Sequence, residues 1–425
     1  MPTPQEFHPA RTFKLSQDYP RTQPKIEPAV QRILAIDYTK DWKAYANATL
    51  AYVLEGNIEG REMENTFFLE DNKVRRWYHV PWQHWGDNGR EGLHGLTSEG
   101  PVNPLTLDPH QTDQWQTYAV GFYNDLGGYQ IGQVWADPEN PRLDAMAKSG
   151  FPVGTVVAKI LFTTAPVSQA PFLSNPIEWN AYVKTSFSAP GPSGLPIKPR
   201  VMSRVRLIQA DIMVRDDRAK ATGGWVFGTF VYNGAQANIN RWNNLVPLGL
   251  MWGDDPQVTS HKAGNPAPVA TVVNPDLKET VINTQSKLLP PMHLGFGLRL
   301  SGPVDNTLSS CKSCHSTAEY PAVSSILPAY AKLEGEGRLL RCGDPQWMLW
   351  FRNLKPTEAF DSGARPMDNS LQLAGSIQNF LAARNLSNGG LYAAQYWKGR
   401  PVLSVYALRG SVPPGAPPCD KTDGN

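Results

Sequence analysis

Cys311-Lys312-Ser313-Cys314-His315 reads C-x-x-C-H, the attachment signature of c-type haem. The spacing has a chemical purpose. Two thiols about a helical turn apart can each form a thioether to one haem vinyl group, and the adjacent imidazole is carried beneath the iron as proximal ligand. The stretch therefore predicts one covalent haem c, bound through Cys311 and Cys314, with His315 on the metal. Such a cofactor brings redox, gas or peroxide chemistry. Other readings compete. A zinc site could draw on Cys311, Cys314, Cys342 and Cys419, but those gaps are long and uneven for a finger or ribbon. A redox dithiol would need a strand before it and a helix after it, whereas Asp305-Asn306-Thr307-Leu308-Ser309-Ser310 reads as a turn. The two cysteines could also simply be buried. Haem is the strongest of these readings.

Working outward, the texture after Pro303 is helical. Leu373, Ile377, Phe380 and Leu381 recur at helical spacing, with Ser370 as N-cap. Attachment motif, long middle and closing amphipathic helix is the order of a small single-haem cytochrome. Upstream the texture is different. Short apolar or alternating runs at Val74–Val80, Thr117–Tyr123, Tyr129–Trp135, Thr155–Thr163, Val205–Val214 and Trp225–Tyr232 are divided by Gly, Pro and Asn clusters, a pattern of strands. A helix is expected from Asp41 to Leu54, with Trp42, Ala46, Leu50 and Val53 on one side. The fold class expected is α+β: a predominantly antiparallel β body followed by a small, mostly α-helical, cytochrome c-like haem domain. The boundaries read as 1–60 for an N-terminal arm and helix, 61–299 for the β-rich body, and 300–425 for the haem domain with its Pro-rich tail.

Composition agrees with a folded, turn-rich protein. Hydrophobic residues make up 41%, charged residues only 18%, and there are 13 tryptophans, 38 prolines and 36 glycines. Net charge is +2 with no basic cluster, which gives no reason to expect a nucleic-acid partner. No apolar run reaches the length of a membrane span. Of the four cysteines, Cys342 and Cys419 remain after haem attachment, and a disulfide between them would tie the tail back to the haem region. Covalent haem and a disulfide both belong to an oxidising space, so a periplasmic or otherwise exported location is expected. Met1 to Gln31 is polar and Pro-rich, without the texture of a secretory signal. That implies a leader outside this chain, a misplaced start or indirect export.

Function turns on the far side of the iron. A methionine there makes a six-coordinate electron carrier; an open position permits binding and catalysis. Met367, in Ala364-Arg365-Pro366-Met367-Asp368, is the candidate axial ligand, and Met348, among aromatic neighbours, is its rival. The alternative for Met367 is gap-filling in the core. Arg76-Trp77-Tyr78-His79-Val80-Pro81-Trp82-Gln83-His84-Trp85, with His94 close behind, is a second unusual stretch. His79, His84 and His94 are candidate acid–base groups near a haem, against the plainer reading of an aromatic packing seam. No H-E-x-x-H, P-loop, dinucleotide-binding glycine fingerprint or G-x-S-x-G is present.

Two resemblances follow. Through Cys311, Cys314, His315 and Met367, the region Leu300 to Asn385 resembles a monohaem cytochrome c domain. The order Gly154-Thr155-Val156-Val157-Ala158-Lys159, then Ile212-Met213-Val214-Arg215-Asp216, then Gly224-Trp225-Val226-Phe227-Gly228, then C-x-x-C-H, resembles the c-type haem proteins that oxidise hydroxylamine or bind nitric oxide on an antiparallel sheet. In those a lysine is cross-linked to the haem edge, and the resemblance implies Lys159 as its counterpart. The function expected is a c-type cytochrome passing electrons in the periplasm to a redox partner protein. The alternatives are a haem enzyme, peroxidase-like or acting on a small nitrogen compound, and a gas-binding sensor.

Overall fold

The computed structural model describes residues 12–59, 67, 69–83, 89–184, 199–260, 266–277, 294–328, 340, 344–387, 396–397 and 400–401. Helices α1 (Pro28–Ala35) and α2 (Trp42–Leu54) come first. Asp41 caps α2 by accepting a hydrogen bond from the Ala44 amide. Its Tyr45, Ala46, Leu50 and Val53 are buried.

An antiparallel sheet of eight strands follows: β1 (Thr97–Val102), β2 (Trp115–Tyr123), β3 (Val156–Thr163), β4 (Glu178–Val183), β5 (Val201–Arg215), β6 (Trp225–Tyr232), β7 (Leu245–Met251) and β8 (Thr271–Val273). Their order is β1-β2-β3-β5-β6-β7-β8, with β4 pairing the first half of the long β5. Two short helices, α3 (Asp125–Val134) and α4 (Asp144–Ser149), sit between β2 and β3.

Two expected strands are corrected. Tyr129–Trp135 lies in helix α3, apart from Trp135 at its C-cap. Its apolar residues fit both periods, and the cap decides: Asn124 Oδ1 accepts the Gly127 amide while also accepting that of Val156. The stretch 74–80 is not a strand. It meets the sheet only at an isolated bridge, Tyr78 to Tyr123, because the neighbouring His79 bonds back to Ser16 of the N-terminal arm. Strands β1, β4, β7 and β8 went unread in the sequence.

Alternation of side chains across the strands gives the sheet two working faces. Phe122, Ala158, Ile212 and Leu250 share one apolar cluster with Tyr45 and Val53 of α2 and with Trp77, Trp179 and Trp242. Tyr123, Val157, Met213 and Phe227 join a different cluster, with Ala318, Ile326, Leu327, Met367 and Leu373. The segment after residue 294 therefore packs onto the second face of the sheet. It contributes α5 (Cys311–His315), a two-residue ladder of β9 (Glu319–Tyr320) with β10 (Arg365–Pro366), and α6 (Leu371–Ser387). Ser370 Oγ accepts the Leu373 amide at the start of α6, as its sequence position implies.

Candidate cofactor site

Helix α5 is short and firmly started. Ser310 Oγ accepts the Ser313 amide at 3.0 Å while Ser313 Oγ accepts the Ser310 amide at 2.8 Å, a reciprocal capping box. The Cys311 amide donates to the Leu300 carbonyl. With the helix begun there, Cys311 and Cys314 fall on one side. Together with His315 they stay partly open, whereas Lys312 and Ser313 are buried. The open side faces a cavity between α5, the start of α6 and the second face of the sheet.

The opposite wall is a cross-strand row. Gly121 of β2 pairs with Lys159 of β3, Lys159 with Asp211 of β5, and Asp211 with Thr229 of β6. Partners opposite one another share a face, so Lys159, Asp211 and Thr229 all line the cavity. Lys159 Nζ lies 3.2 Å from Glu99 Oε2. A register break between Ser98 and Pro101 of β1 frees Glu99 for that contact. Asp211 accepts from Gln209 Nε2 at 2.9 and 3.0 Å and from Thr229 Oγ1 at 3.1 Å; the same Gln209 amide also donates to Asp305 at 3.0 Å. Burial, with the negative charge of Asp305 added, pushes the Asp211 carboxyl up to about 7. Gln372 of α6 lies so close over Gly121 that a Cβ there would fall 1.8 Å from its amide nitrogen. Its Oε1 is buried and has no hydrogen-bond partner among the described residues.

His315 is held by its far nitrogen. Nδ1 lies 2.7 Å from the Asn369 carbonyl oxygen, which can only accept, so Nδ1 carries the hydrogen and Nε2 is left as the ligating atom. Burial lowers the imidazole to about 4, the Asn369 bond opposing it, so the ring is neutral as ligation requires. Burial pushes Cys314 up to about 12 and Cys311 well above its ordinary value, so both thiols are protonated in the haem-free chain. Thioether formation leaves no charge to bury. Two thiols and an oriented neutral imidazole opening on one cavity fit a covalent haem.

The other expected residues are scattered. Met367 is fully buried, its amide bonded to the Ala318 carbonyl, and it is absent from the cavity wall. Met348 packs against the separate cluster of Trp347 and Trp350. His79 is buried: its Nδ1 accepts the Ser16 amide at 3.1 Å and its ring meets Phe13 edge-on at 5.0 Å. His94 is stacked on Trp179 with ring centres 4.4 Å apart. Neither histidine reaches the cavity. His84, Cys342 and Cys419 lie outside the described residues, so the expected disulfide does too. Lys159 lines the same cavity as Cys311, Cys314 and His315.

Sequence reading passed over Asp211, Glu99, Gln372 and Asn369. Only Asp211 carried a signal: a carboxylate inside the apolar run Leu207 to Val214. Among the described residues, no group of three or more His, Cys, Asp or Glu side chains is disposed to hold a metal ion, and no helix is long and apolar enough to cross a membrane. Comparisons with protein-family models, curated proteins and solved structures find no match to this chain.

Proposed function

We propose that this chain is an exported c-type haem protein acting on, or binding, a small polar molecule at an open iron position. One observation carries the reading. The attachment pentamer opens onto a cavity whose facing wall is the row Lys159, Asp211 and Thr229, while Met367 is buried in the adjoining apolar cluster and is not among the residues lining it. Cys311 and Cys314 would hold the haem through thioethers and His315 would ligate iron through Nε2. Covalent haem supplies one-electron redox and small-ligand binding at its iron.

The chain's own groups divide the remaining work. Asp211, titrating near neutrality, can take or give a proton at a carboxyl oxygen in the cavity. Thr229 and Gln209 orient it. The Lys159–Glu99 pair keeps a cation on the wall beside Asp211, and Gln372 offers an unsatisfied carbonyl oxygen as an acceptor. The oxygen-rich wall favours a neutral or positively charged small substrate over an anion. The closed electron carrier is the second reading, and it needs Met367 on the iron. The exported location rests on the same reading, since covalent haem c would belong to an oxidising compartment.

The optical spectrum of the matured, reduced protein, with and without carbon monoxide, separates the readings. A spectrum that shifts with the gas is expected. One indifferent to it returns the chain to electron transfer, and the absence of haem bands removes both readings. Mass spectrometry of the haem peptide tests Lys159: a peptide containing Lys159 that co-migrates with haem would mean the cross-link implied by the second resemblance.

A further inference from the structure

The carbonyl that meets His315 stands on unusual backbone. Asp368 and Asn369 both have positive φ, +44° and +64°, a left-handed pair without glycine. Such backbone is unfavourable for residues with a Cβ and persists only where surrounding contacts over-determine it. Those contacts converge on one carboxylate. Asp368 is buried, with Oδ1 accepting Trp225 Nε1–H at 2.8 Å and Oδ2 accepting the Phe151 amide at 2.7 Å. Arg215 Nε stands 3.9 Å from the same Oδ2. The neighbouring chain is shaped to admit it: at Gly150, itself at φ +65°, a Cβ would lie 2.4 Å from Asp368 Oδ2. The two donors come from β6 and the segment after α4, and the Arg215 charge from the end of β5. The turn is thus pinned to the β body, far from α5 in sequence.

We propose that Asp368 is a positioning residue for His315. Clamped by Trp225 and Phe151, it holds the 368–369 turn left-handed, so that the Asn369 carbonyl stays on His315 Nδ1. The inference rests on the reading that His315 ligates the haem iron. A hydrogen bond at Nδ1 fixes the ring and makes Nε2 a stronger donor, which favours ferric over ferrous iron. Losing the clamp weakens that donor.

The test uses the matured full chain with Asp368→Ala, Asp368→Asn and Trp225→Phe. Readouts are covalent haem after denaturation, the midpoint potential, and the iron–histidine stretch of the ferrous form. Asp368→Ala should raise the potential, shifting the ferric/ferrous equilibrium about tenfold, or about 59 mV for one electron, and lower the stretch. Asp368→Asn keeps one acceptor and the tolerance of left-handed backbone, so it should recover part of the shift; Trp225→Phe should move both readouts the same way by less. Variants that keep covalent haem and melt earlier, yet leave potential and stretch unchanged, overturn the proposal by reducing Asp368 to a fold contact. If Asp368→Ala fails to accumulate, Trp225→Phe decides by the same criterion. A parent chain without covalent haem removes the underlying reading instead, an outcome visible before any variant is compared.

Discussion

Thr229 Oγ1 on β6 lies 3.7 Å from Cys311 Sγ on α5. A sheet residue thus touches the first thiol of the attachment motif. Because Thr229 also donates to Asp211, the motif and the charged row of the opposite wall meet through one hydroxyl. The attachment helix and the cavity wall are one site.

Cys311→Ala combined with Cys314→Ala should abolish haem that survives denaturation. Haem staining of a denaturing gel is the measurement. Retention of covalent haem in the double variant would remove the pentamer from the account.

Met367→Ala should act on stability and not on the iron. Emptying a fully buried methionine site costs ~2–5 kcal/mol. The carbon monoxide response should match that of the parent. A variant that begins to bind the gas where the parent does not would restore Met367 as the axial ligand.

Asp211 makes the haem-free chain sensitive to alkali. Its carboxyl ionises near 7 when folded against an ordinary 3.8, so the native state holds a proton that the unfolded state has lost. The stabilisation is fully present below the lower value and disappears as pH rises through the upper one. Asp211→Asn, fixed in the neutral form, should match the parent at about pH 4 and exceed it at about pH 8 by up to about 4 kcal/mol. Chemical denaturation at the two pH values measures this. Equal stabilities at the higher value would mean that Asp211 ionises freely.

His94 works in the opposite direction. Burial lowers it to about 4 from an ordinary 6.5, so the unfolded chain takes up protons first. Its contribution is present above the upper value and lost as pH falls toward the lower one. His94→Phe keeps a ring on Trp179 and should remove on the order of 2–3 kcal/mol of that acid loss. A denaturation series across this range that retains the parent's slope would clear His94 of responsibility.

Lys312 and Asp254 are both buried, with Nζ and Oδ2 3.5 Å apart. Asp254 also accepts from Ser310, the cap of α5. Lys312→Met strands a buried carboxylate and should cost ~3–5 kcal/mol. Lys312→Met with Asp254→Leu should recover much of that. Thermal melting of the two variants decides, and equal losses would deny the pairing.

Local signals carried much of the fold. Trp225–Tyr232 is bracketed by Gly223-Gly224 and Asn233-Gly234, and the strand has those bounds. Helix α2 and the closing helix announce their caps in Asp41 and Ser370. Tyr129–Trp135 misled because alternation and helical spacing coincide in so short a run, and a single capping asparagine settles it. The site was half legible. C-x-x-C-H is local chemistry and can be read directly. Asn369, Gln372 and Glu99 matter because chain folding brings them to one cavity, and nothing in their neighbours marks them. For His79 and His94 the aromatic–histidine stretch has the plainer reading it was given, a packing seam, with the His79 ring against Phe13 and the His94 ring on Trp179.

The second face of the sheet has one more consequence. Apolar residues on both sides of residue 300 complete a single cluster, with Val157, Met213 and Phe227 meeting Ile326, Leu327 and Leu373. A fragment cut at the motif would carry its cysteines and histidine into water with their packing partners on the sheet left behind. The pentamer cannot be transplanted from this protein as a ready-made miniature cytochrome: whatever chemistry it performs belongs to the sheet as much as to the helix that bears it.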